Sequence, residues 1–144
     1  MRCEEIMTKG VATLRREATV QEAARLMAEK DVGFVPVVDN SGAVVGVLTD
    51  RDIVVRVVAK GSDVKTSKLA DVYSRDLVCC SPQDEVSKAR QLMQERKVSR
   101  MLVCDERNRP VGVISLQDLA HSEAEGEIGK TVREVKEEGV GAVH

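Results

Sequence analysis

The chain has 144 residues, a formal net charge of -2, one Phe, one Tyr and no Trp. This length suits one domain, or two half-size units that share a core. Acidic and basic residues are mixed along the chain and base-stacking aromatic residues are scarce, so no nucleic-acid partner is expected. No apolar run reaches the length of a membrane span and the N-terminus lacks a signal-peptide core, which predicts a cytoplasmic protein with no membrane partner.

The first half of the chain predicts the element order β-α-β-β-α. Thr19 and Glu22 have the spacing of a helix capping box, and apolar residues at helical spacing follow them. A turn at residues 39–42 separates two β-branched apolar runs and predicts a hairpin. The predicted elements are a short strand over 11–13, a helix over 20–30, strands over 34–38 and 43–48, and a helix from 49 to Gly61. That last helix is predicted to align on one face Ile53, Val54, Val57 and Val58.

The second half of the chain repeats the first at an offset of 66 residues. Residues 6–53 and 72–119 share 12 identities, where chance matching would give only a few. The second half is therefore predicted to contain a strand near 77–79, a helix over 85–96, a strand over 100–104, a turn over 105–109, a strand over 110–114 and a helix from 116. The expected fold class is mixed α/β (α+β), with two pseudo-twofold-related repeats packed through their sheets.

Four segments are predicted along the chain: repeat 1 over 1–61, a linker over 62–71, repeat 2 over 72–121 and a charged tail over 122–144. In the tail, Ile128, Val132 and Val135 recur at helical spacing and predict an amphipathic helix. A solvated tail is favoured, and docking of its apolar stripe on the module or on a dimer mate is the alternative.

The cysteines and histidines do not form a recognisable catalytic or metal-binding pattern. Cys3, Cys79, Cys80 and Cys104 lack metal-ligand spacing, and adjacency disfavours a disulfide between Cys79 and Cys80. Reduced, partly buried thiols are expected, with a redox sensor at Cys79 and Cys80 as the less favoured alternative. No nucleophile stands beside a base in a catalytic pattern, so no catalytic residue, no metal ligand and no enzymatic activity are predicted.

One motif occurs at the end of each repeat. Residues 46–53 read Gly-Val-Leu-Thr-Asp-Arg-Asp-Ile, and residues 112–119 read Gly-Val-Ile-Ser-Leu-Gln-Asp-Leu. Together with Ile6-Met-Thr8 and Val35-Pro-Val-Val-Asp39, these motifs resemble the CBS (cystathionine β-synthase) domain, two of which form a Bateman module. The resemblance covers roughly residues 3–121. The chain as a whole is similar to stand-alone CBS-pair proteins of the hypoxic-response-protein type.

This resemblance implies regulatory binding of an adenine nucleotide, namely AMP, ADP, ATP or NAD, with no required cofactor. The motif suits that ligand, because a hydroxyl at a helix N-terminus lies beside free N–H groups that attract phosphate. The Asp three residues later can accept hydrogen bonds from both ribose hydroxyls. The resemblance also implies a homodimer that signals to a protein target not identified by the sequence.

In the family, the ligand pocket combines the motif of one repeat with the lead-in and first hairpin strand of the other. One predicted site therefore consists of Thr49, Asp52, Val78, Val98, Ser99 and Arg100. The other consists of Ser115, Asp118, Thr8, Ala12, Val32, Gly33 and Pro36. Arg100 stands where related modules place a basic residue on the phosphates, whereas its counterpart is Phe34, so the Thr49 site is expected to suit a polyphosphate better.

Repeat 2 departs from the family pattern, because Leu102 replaces the usual Pro and Tyr73-Ser74 replaces Met-Thr. Both Thr49–Asp52 and Ser115–Asp118 also fit plain helix caps. The alternative function is accordingly a structural or protein-interaction module with empty or vestigial nucleotide clefts.

Overall fold

The structure, a computed structural model, describes residues 1–75 and 77–126, and the side chains as far as residue 123. Of the predicted tail, residues 122–126 belong to a described helix, and the predicted apolar stripe from Ile128 onward lies outside the described residues. The helices are α1 (Cys3–Ile6), α2 (Val20–Lys30), α3 (Asp50–Asp52, continued as a π-helix over Ile53–Val58), α4 (Val86–Arg96) and α5 (Leu116–Gly126). The strands are β1 (Leu14–Arg15), β2 (Phe34–Val38), β3 (Val44–Thr49), β4 (Cys79–Cys80), β5 (Arg100–Cys104) and β6 (Pro110–Ser115).

The chain forms two compact units, each built on a three-stranded sheet. The Thr49 unit contains residues 11–77 and 107–110, and its sheet has the order β1-β2-β3. The Ser115 unit contains residues 1–10, 78–106 and 111–126, and its sheet has the order β4-β5-β6. In each sheet the short first strand pairs in parallel with the second. The mixed fold class expected from the sequence is confirmed.

The two lead-in segments, which are the residues before the first strand of each repeat, are exchanged between the repeats. Thr8, from the start of repeat 1, forms an antiparallel bridge with Val113 of β6, with N···O distances of 2.9 and 3.0 Å. Ser74, from the start of repeat 2, bridges Val47 of β3 in the same way, at 2.9 and 2.8 Å. Each compact unit therefore combines the lead-in of one repeat with the hairpin and helices of the other.

The core of the Thr49 unit is aliphatic. The capping box of α2 is present as predicted, since Glu22 N–H donates to Thr19 Oγ1 at 3.2 Å and Thr19 N–H donates to Glu22 Oε2 at 3.0 Å. This cap orients α2 so that one face packs against the sheet. The fully or nearly buried residues of this core are Val20, Ala23, Met27, Val35, Val37, Leu48, Val57, Leu69 and Val72.

The Ser115 unit has an equivalent core with two thiols in it. Helix α4 ends at Lys97 in the left-handed conformation, at φ 55°, as α2 does at Asp31, at φ 54°. The two helices thus have the same length and the same type of C-terminus. The buried residues of this core are Cys3, Cys80, Val86, Ala89, Met93, Met101, Val103, Ile114 and Leu119.

Two short strands are shifted from their predicted positions. The strand predicted over 11–13 is β1 at Leu14–Arg15, because Leu14 pairs with Val37 and packs on the core of its unit. The strand predicted near 77–79 is β4 at Cys79–Cys80, because Cys80 is the residue that enters the other core. Strands this short are specified by their partner strand more than by their own sequence.

The face predicted for the helix after Thr49 is wrong. Beyond Asp52 the backbone forms a π-helix, in which Ala59 N–H donates to Val54 O at 2.9 Å. Because each bond closes five residues back, α-helical spacing does not describe the faces of this segment. Val57 is fully buried, whereas Val54 and Val58 are 58% and 59% exposed.

Candidate ligand-binding site

The Thr49 motif folds as a reciprocal capping box where β3 meets α3. Asp52 N–H donates to Thr49 Oγ1 at 3.1 Å, and Thr49 N–H donates to Asp52 Oδ2 at 2.9 Å. Gly33 O accepts the N–H of Asp50 at 2.9 Å, which ties the start of the helix to the residue before β2. The side chain of Asp52 is 13% exposed, so the carboxylate is held at the surface in one orientation.

The Ser115 motif repeats this geometry where β6 meets α5. Asp118 N–H donates to Ser115 Oγ at 3.1 Å, and Ser115 N–H donates to Asp118 Oδ2 at 2.9 Å. Leu116 N–H donates to Ser99 O at 3.1 Å, so the residue before β5 ties this helix as Gly33 ties α3. The two motifs are therefore equivalent in backbone and cap, and they differ in the side chains around them.

Each capping box uses only part of the hydrogen-bonding capacity of its carboxylate. An ionised carboxylate has about four lone-pair sites. In Asp52, one lone pair on Oδ2 accepts the N–H of Thr49, and in Asp118 one lone pair on Oδ2 accepts the N–H of Ser115. The hydroxyls of Thr49 and Ser115 accept a bond from the backbone and keep their own proton to donate. The arrangement can thus accept ligand hydroxyls at the Asp while the helix cap stays formed.

Arg56 distinguishes the Thr49 motif from its copy. Its Nε lies 3.7 Å from Asp52 Oδ1, and its Nη1 donates to Val72 O at 3.2 Å. It therefore links the candidate carboxylate to the exchanged lead-in of repeat 2. At the offset of 66, the counterpart is Ser122, a buried residue whose hydroxyl donates to Leu119 O at 2.9 Å.

Two glycines allow the exchanged lead-ins to lie close to the motifs. A Cβ on Gly46 would fall well inside 3.0 Å of Ser74 O and of the Tyr73 ring. A Cβ on Gly112 would fall equally deep into the side chain of Met7. The Gly that opens each motif is therefore required by the close approach of the other repeat's lead-in.

The predicted site residues are divided between the two units. Thr49 and Asp52 lie in the Thr49 unit, and their four predicted companions lie in the Ser115 unit: Val78, Val98, Ser99 and Arg100. Ser115, Asp118 and Thr8 lie together in the Ser115 unit, where Thr8 bridges a residue of β6 two positions before Ser115. Their other predicted companions lie in the Thr49 unit: Ala12, Val32, Gly33 and Pro36.

The sequence prediction did not include two residues that the structure brings to the Thr49 motif. Ser74 bridges β3 two positions before Thr49, as Thr8 does in the other unit. Applying the offset of 66 to Thr8 gives Ser74 directly, so the repeat contained this signal. Arg56 was also missed, although its position four residues after Asp52 is the spacing of a helical ion pair.

Two features are absent from the part of the chain that the structure describes. None of its helices is long and apolar enough to cross a membrane. Among the same residues, no group of three or more His, Cys, Asp or Glu side chains is arranged to hold a metal ion.

Comparison with known proteins identifies the two repeats. The model of the CBS domain family matches residues 3–59 and 69–125. The CBS domain-containing protein YhcV of Bacillus subtilis is 40% identical over 124 residues, which is 86% of this chain and 86% of that protein. By contrast, this chain spans less than a quarter of the length of five other curated relatives, which include inosine-5'-monophosphate dehydrogenase.

Solved structures share the fold. Hypoxic Response Protein I, solved with two coordinated zinc ions, is 30% identical and superposes with a TM-score of 0.74 over 85% of this chain and 98% of that one. The CBS domain pair of protein MJ0100, solved with 5'-methylthioadenosine and S-adenosyl-L-methionine, is 20% identical with a TM-score of 0.76 over 88% and 98%.

Proposed function

Because the chain belongs to the CBS-domain family, as a tandem pair of CBS domains, we propose that it is a regulatory module that binds an adenine nucleotide. The proposed ligands are AMP, ADP, ATP and NAD. Occupancy is passed to a protein target through the geometry of a homodimer in the cytoplasm, and the chain itself catalyses no reaction. A ligand moves such an equilibrium only by its different affinity for the two dimer arrangements.

The observation that carries the proposal is the anchored carboxylate of the two motifs. Asp52 and Asp118 each accept a backbone N–H on one oxygen at 2.9 Å, which fixes the carboxylate and leaves lone pairs for other donors. A cis-diol presents two hydroxyl donors to one carboxylate, and hydrogen bonds to a charged acceptor are the stronger kind. The ribose of a nucleoside carries such a diol, as do the adenosine-derived ligands of the MJ0100 domain pair.

The two proposed sites differ in the ligand they suit. The Thr49 site would combine Thr49 and Asp52 with Arg100 of the other repeat, and a guanidinium favours a chain of phosphates. The Ser115 site would have Phe34 in the equivalent position, so it suits a ligand with fewer phosphates. This assignment follows from the crossed arrangement implied by the family resemblance and from the offset of 66 between Phe34 and Arg100.

Thermal unfolding tests the proposal with a small panel of candidate ligands. The melting temperature is measured with millimolar AMP, ADP, ATP or NAD, and with inorganic triphosphate as the control for bare charge. A ligand that binds only the folded chain stabilises it and so raises the melting temperature. At a ligand concentration a hundredfold above Kd, the free energy of unfolding increases by about 2.7 kcal/mol. A rise with at least one adenine compound supports the proposal, and no rise with any of them contradicts it.

A structural or protein-interaction module is the second candidate. It is favoured by the completeness of the two capping boxes, because helix capping alone gives the hydroxyl and the carboxylate a role. Under this alternative the melting temperature does not change with any nucleotide, and the chain copurifies with no adenine compound. Mass spectrometry of the small molecules released by denaturing the purified chain separates the two candidates.

A further inference from the structure

All four cysteines lie in the Ser115 unit, where they form two thiol pairs. The Sγ atoms of Cys79 and Cys104 are 3.5 Å apart, and those of Cys3 and Cys80 are 3.7 Å apart. Cys79 and Cys80 are consecutive residues of β4, and consecutive strand residues point to opposite faces of a sheet. The two pairs are therefore separate, one on each face of the β4-β5 ladder.

The two pairs differ in their surroundings. Cys3 is fully buried and Cys80 is 7% exposed, and both belong to the aliphatic core of the unit. Burial raises the pKa of both thiols, which keeps them protonated and poorly nucleophilic. A hydrophilic oxidant reaches neither sulfur readily. This pair therefore serves as an internal reference for the other one.

The Cys79–Cys104 pair combines a partly exposed sulfur with a buried partner. Cys79 is partly exposed and Cys104 is 7% exposed. The Cys104 S–H donates to Cys79 Sγ, and this hydrogen bond lowers the pKa of the Cys79 thiol. The same contact, together with burial, raises the pKa of Cys104. Cys79 is thus the more accessible sulfur of the pair and the one suited to attack, and Cys104 is the buried thiol placed to resolve its oxidised form.

The strand pairing places the two sulfurs on the same face of the ladder. Cys79 is in register with Leu102, so Cys104 lies two residues further on the same face of β5. A disulfide needs an S–S distance of about 2.05 Å, so the sulfurs must approach by about 1.5 Å from their present 3.5 Å. Because the two cysteines are offset by two residues in this register, closure also requires a backbone shift, and β4 pairs with β5 through only two residues.

We propose that Cys79 and Cys104 are a peroxide-sensitive dithiol that oxidises to an intramolecular disulfide between β4 and β5, while Cys3 and Cys80 remain reduced. The disulfide would link β4, which directly follows the proposed ligand residue Val78, to β5, which begins at the proposed ligand residue Arg100. The proposal does not depend on nucleotide binding, because it rests on the positions and the burial of the four sulfurs.

The chemistry requires hydrogen peroxide as the oxidant. The Cys79 thiolate attacks the peroxide, the O–O bond breaks, and the products are Cys79 sulfenic acid and, after protonation of the leaving oxygen, water. Cys104 sulfur then attacks the Cys79 sulfur, the S–O bond breaks, and the S–H proton leaves with the hydroxyl as a second water. Two thiols lose two electrons in total, and one peroxide is reduced to two waters.

Tryptic mapping of the folded wild-type chain tests the proposal without any variant. The reduced protein is treated with stoichiometric hydrogen peroxide, its free thiols are blocked with N-ethylmaleimide, and it is digested. Cys79 and Cys80 fall in the peptide 76–88, Cys104 falls in 101–107 and Cys3 falls in 3–9. The proposal predicts a linkage between 76–88 and 101–107, with two blocked thiols. A linkage between 76–88 and 3–9, or four blocked thiols, overturns it.

Single substitutions assign the roles of the two sulfurs. In Cys104→Ser the Cys79 sulfenic acid has no partner, so dimedone labels the peptide 76–88 and no linked peptide forms. In Cys79→Ser neither label nor linkage is expected at the same peroxide dose. Cys3→Ser is the matched control, since it removes the other pair and leaves the linked peptide unchanged. Failure of Cys104→Ser to label with dimedone, while the wild-type chain remains unlinked, contradicts the assignment.

Discussion

The two copies of the hydroxyl–Asp motif share a backbone and differ in what surrounds the carboxylate. Asp52 and Asp118 accept the same N–H bond at 2.9 Å, and Thr49 and Ser115 accept the same return bond at 3.1 Å. Of these two, only Asp52 has an arginine four residues later. This residue, Arg56, contacts the Asp52 carboxylate and also donates a hydrogen bond to Val72 O in the exchanged lead-in. The two copies thus share their local fold, whereas the side chains next to their carboxylates differ.

The largest expected difference between the copies concerns the motif glycines. In Gly46→Ala the new methyl meets the Ser74 carbonyl, a backbone atom, whereas in Gly112→Ala it meets the flexible side chain of Met7. Overpacking typically costs about 1–3 kcal/mol, so we expect about 3 kcal/mol for Gly46→Ala and about 1 kcal/mol for Gly112→Ala. Urea unfolding of both variants measures this. Equal losses of unfolding free energy in the two variants would contradict the predicted difference between a backbone contact and a side-chain contact.

The caps offer a second comparison, for which no difference is expected. Thr49→Ala and Ser115→Ala each remove one hydroxyl acceptor from a helix N-terminus, and such a loss costs about 1 kcal/mol. The free energy of unfolding should therefore fall by the same amount in both variants. A loss in one variant more than twice that in the other would show that its hydroxyl does more than cap.

The arginine contact is expected to contribute less to stability than the caps. The side chain of Arg56 is 46% exposed, and Arg56→Met keeps much of its aliphatic length while removing the guanidinium. A partly exposed ion pair of this kind contributes about 0.5 kcal/mol and weakens with salt. The unfolding free energy should fall by about this amount in low salt. In high salt the difference from wild type should become smaller. A salt-independent loss would assign the effect to packing of the arginine stem.

The smallest expected effect concerns acid sensitivity of the first hairpin. The Ser41 hydroxyl and the N–H groups of Ser41 and Ala43 donate to Asp39 Oδ1, and they lower the pKa of that carboxyl in the folded chain. A lowered folded pKa stabilises the hairpin above the unfolded pKa, and this stability is lost as pH falls through the folded value. Asp39→Asn should therefore flatten the acid side of the stability–pH curve slightly. An unchanged slope would contradict this account.

How far the sequence predicted the fold varies between elements. Helix α2 and strand β2 were predicted with their bounds, because Thr19 and Glu22 fix the start of the helix and β-branched residues fill the strand. The shifted β1 and the π-helix were not predicted, since both depend on partners distant in sequence or on a departure from α-helical spacing. Local patterns thus determine long elements, and tertiary pairing determines the short ones.

The same distinction applies to the candidate site. The spacing of Thr49 and Asp52 predicted the capped helix N-terminus, because the bonds involved span only three residues. Ser74 was missed, since its bridge to Val47 joins two segments 27 residues apart in sequence and depends on the exchange of the lead-ins. Residue types within one turn could be interpreted from the sequence directly, whereas Ser74 could be found only by carrying Thr8 over to the second repeat, and its bridge to Val47 is seen in the structure.

Titration calorimetry with ATP on the matched variants Asp52→Ala and Asp118→Ala tests the central claim most directly. Both variants lose the same capping interaction, and Arg56→Met controls for the ion pair that only Asp52→Ala also removes. A lost hydrogen bond to a charged group costs about 1.5–3 kcal/mol, so the proposal predicts a Kd for ATP raised at least roughly tenfold in Asp52→Ala. Asp118→Ala should leave the Kd within roughly threefold of wild type. Wild-type affinity for ATP in Asp52→Ala would contradict the account.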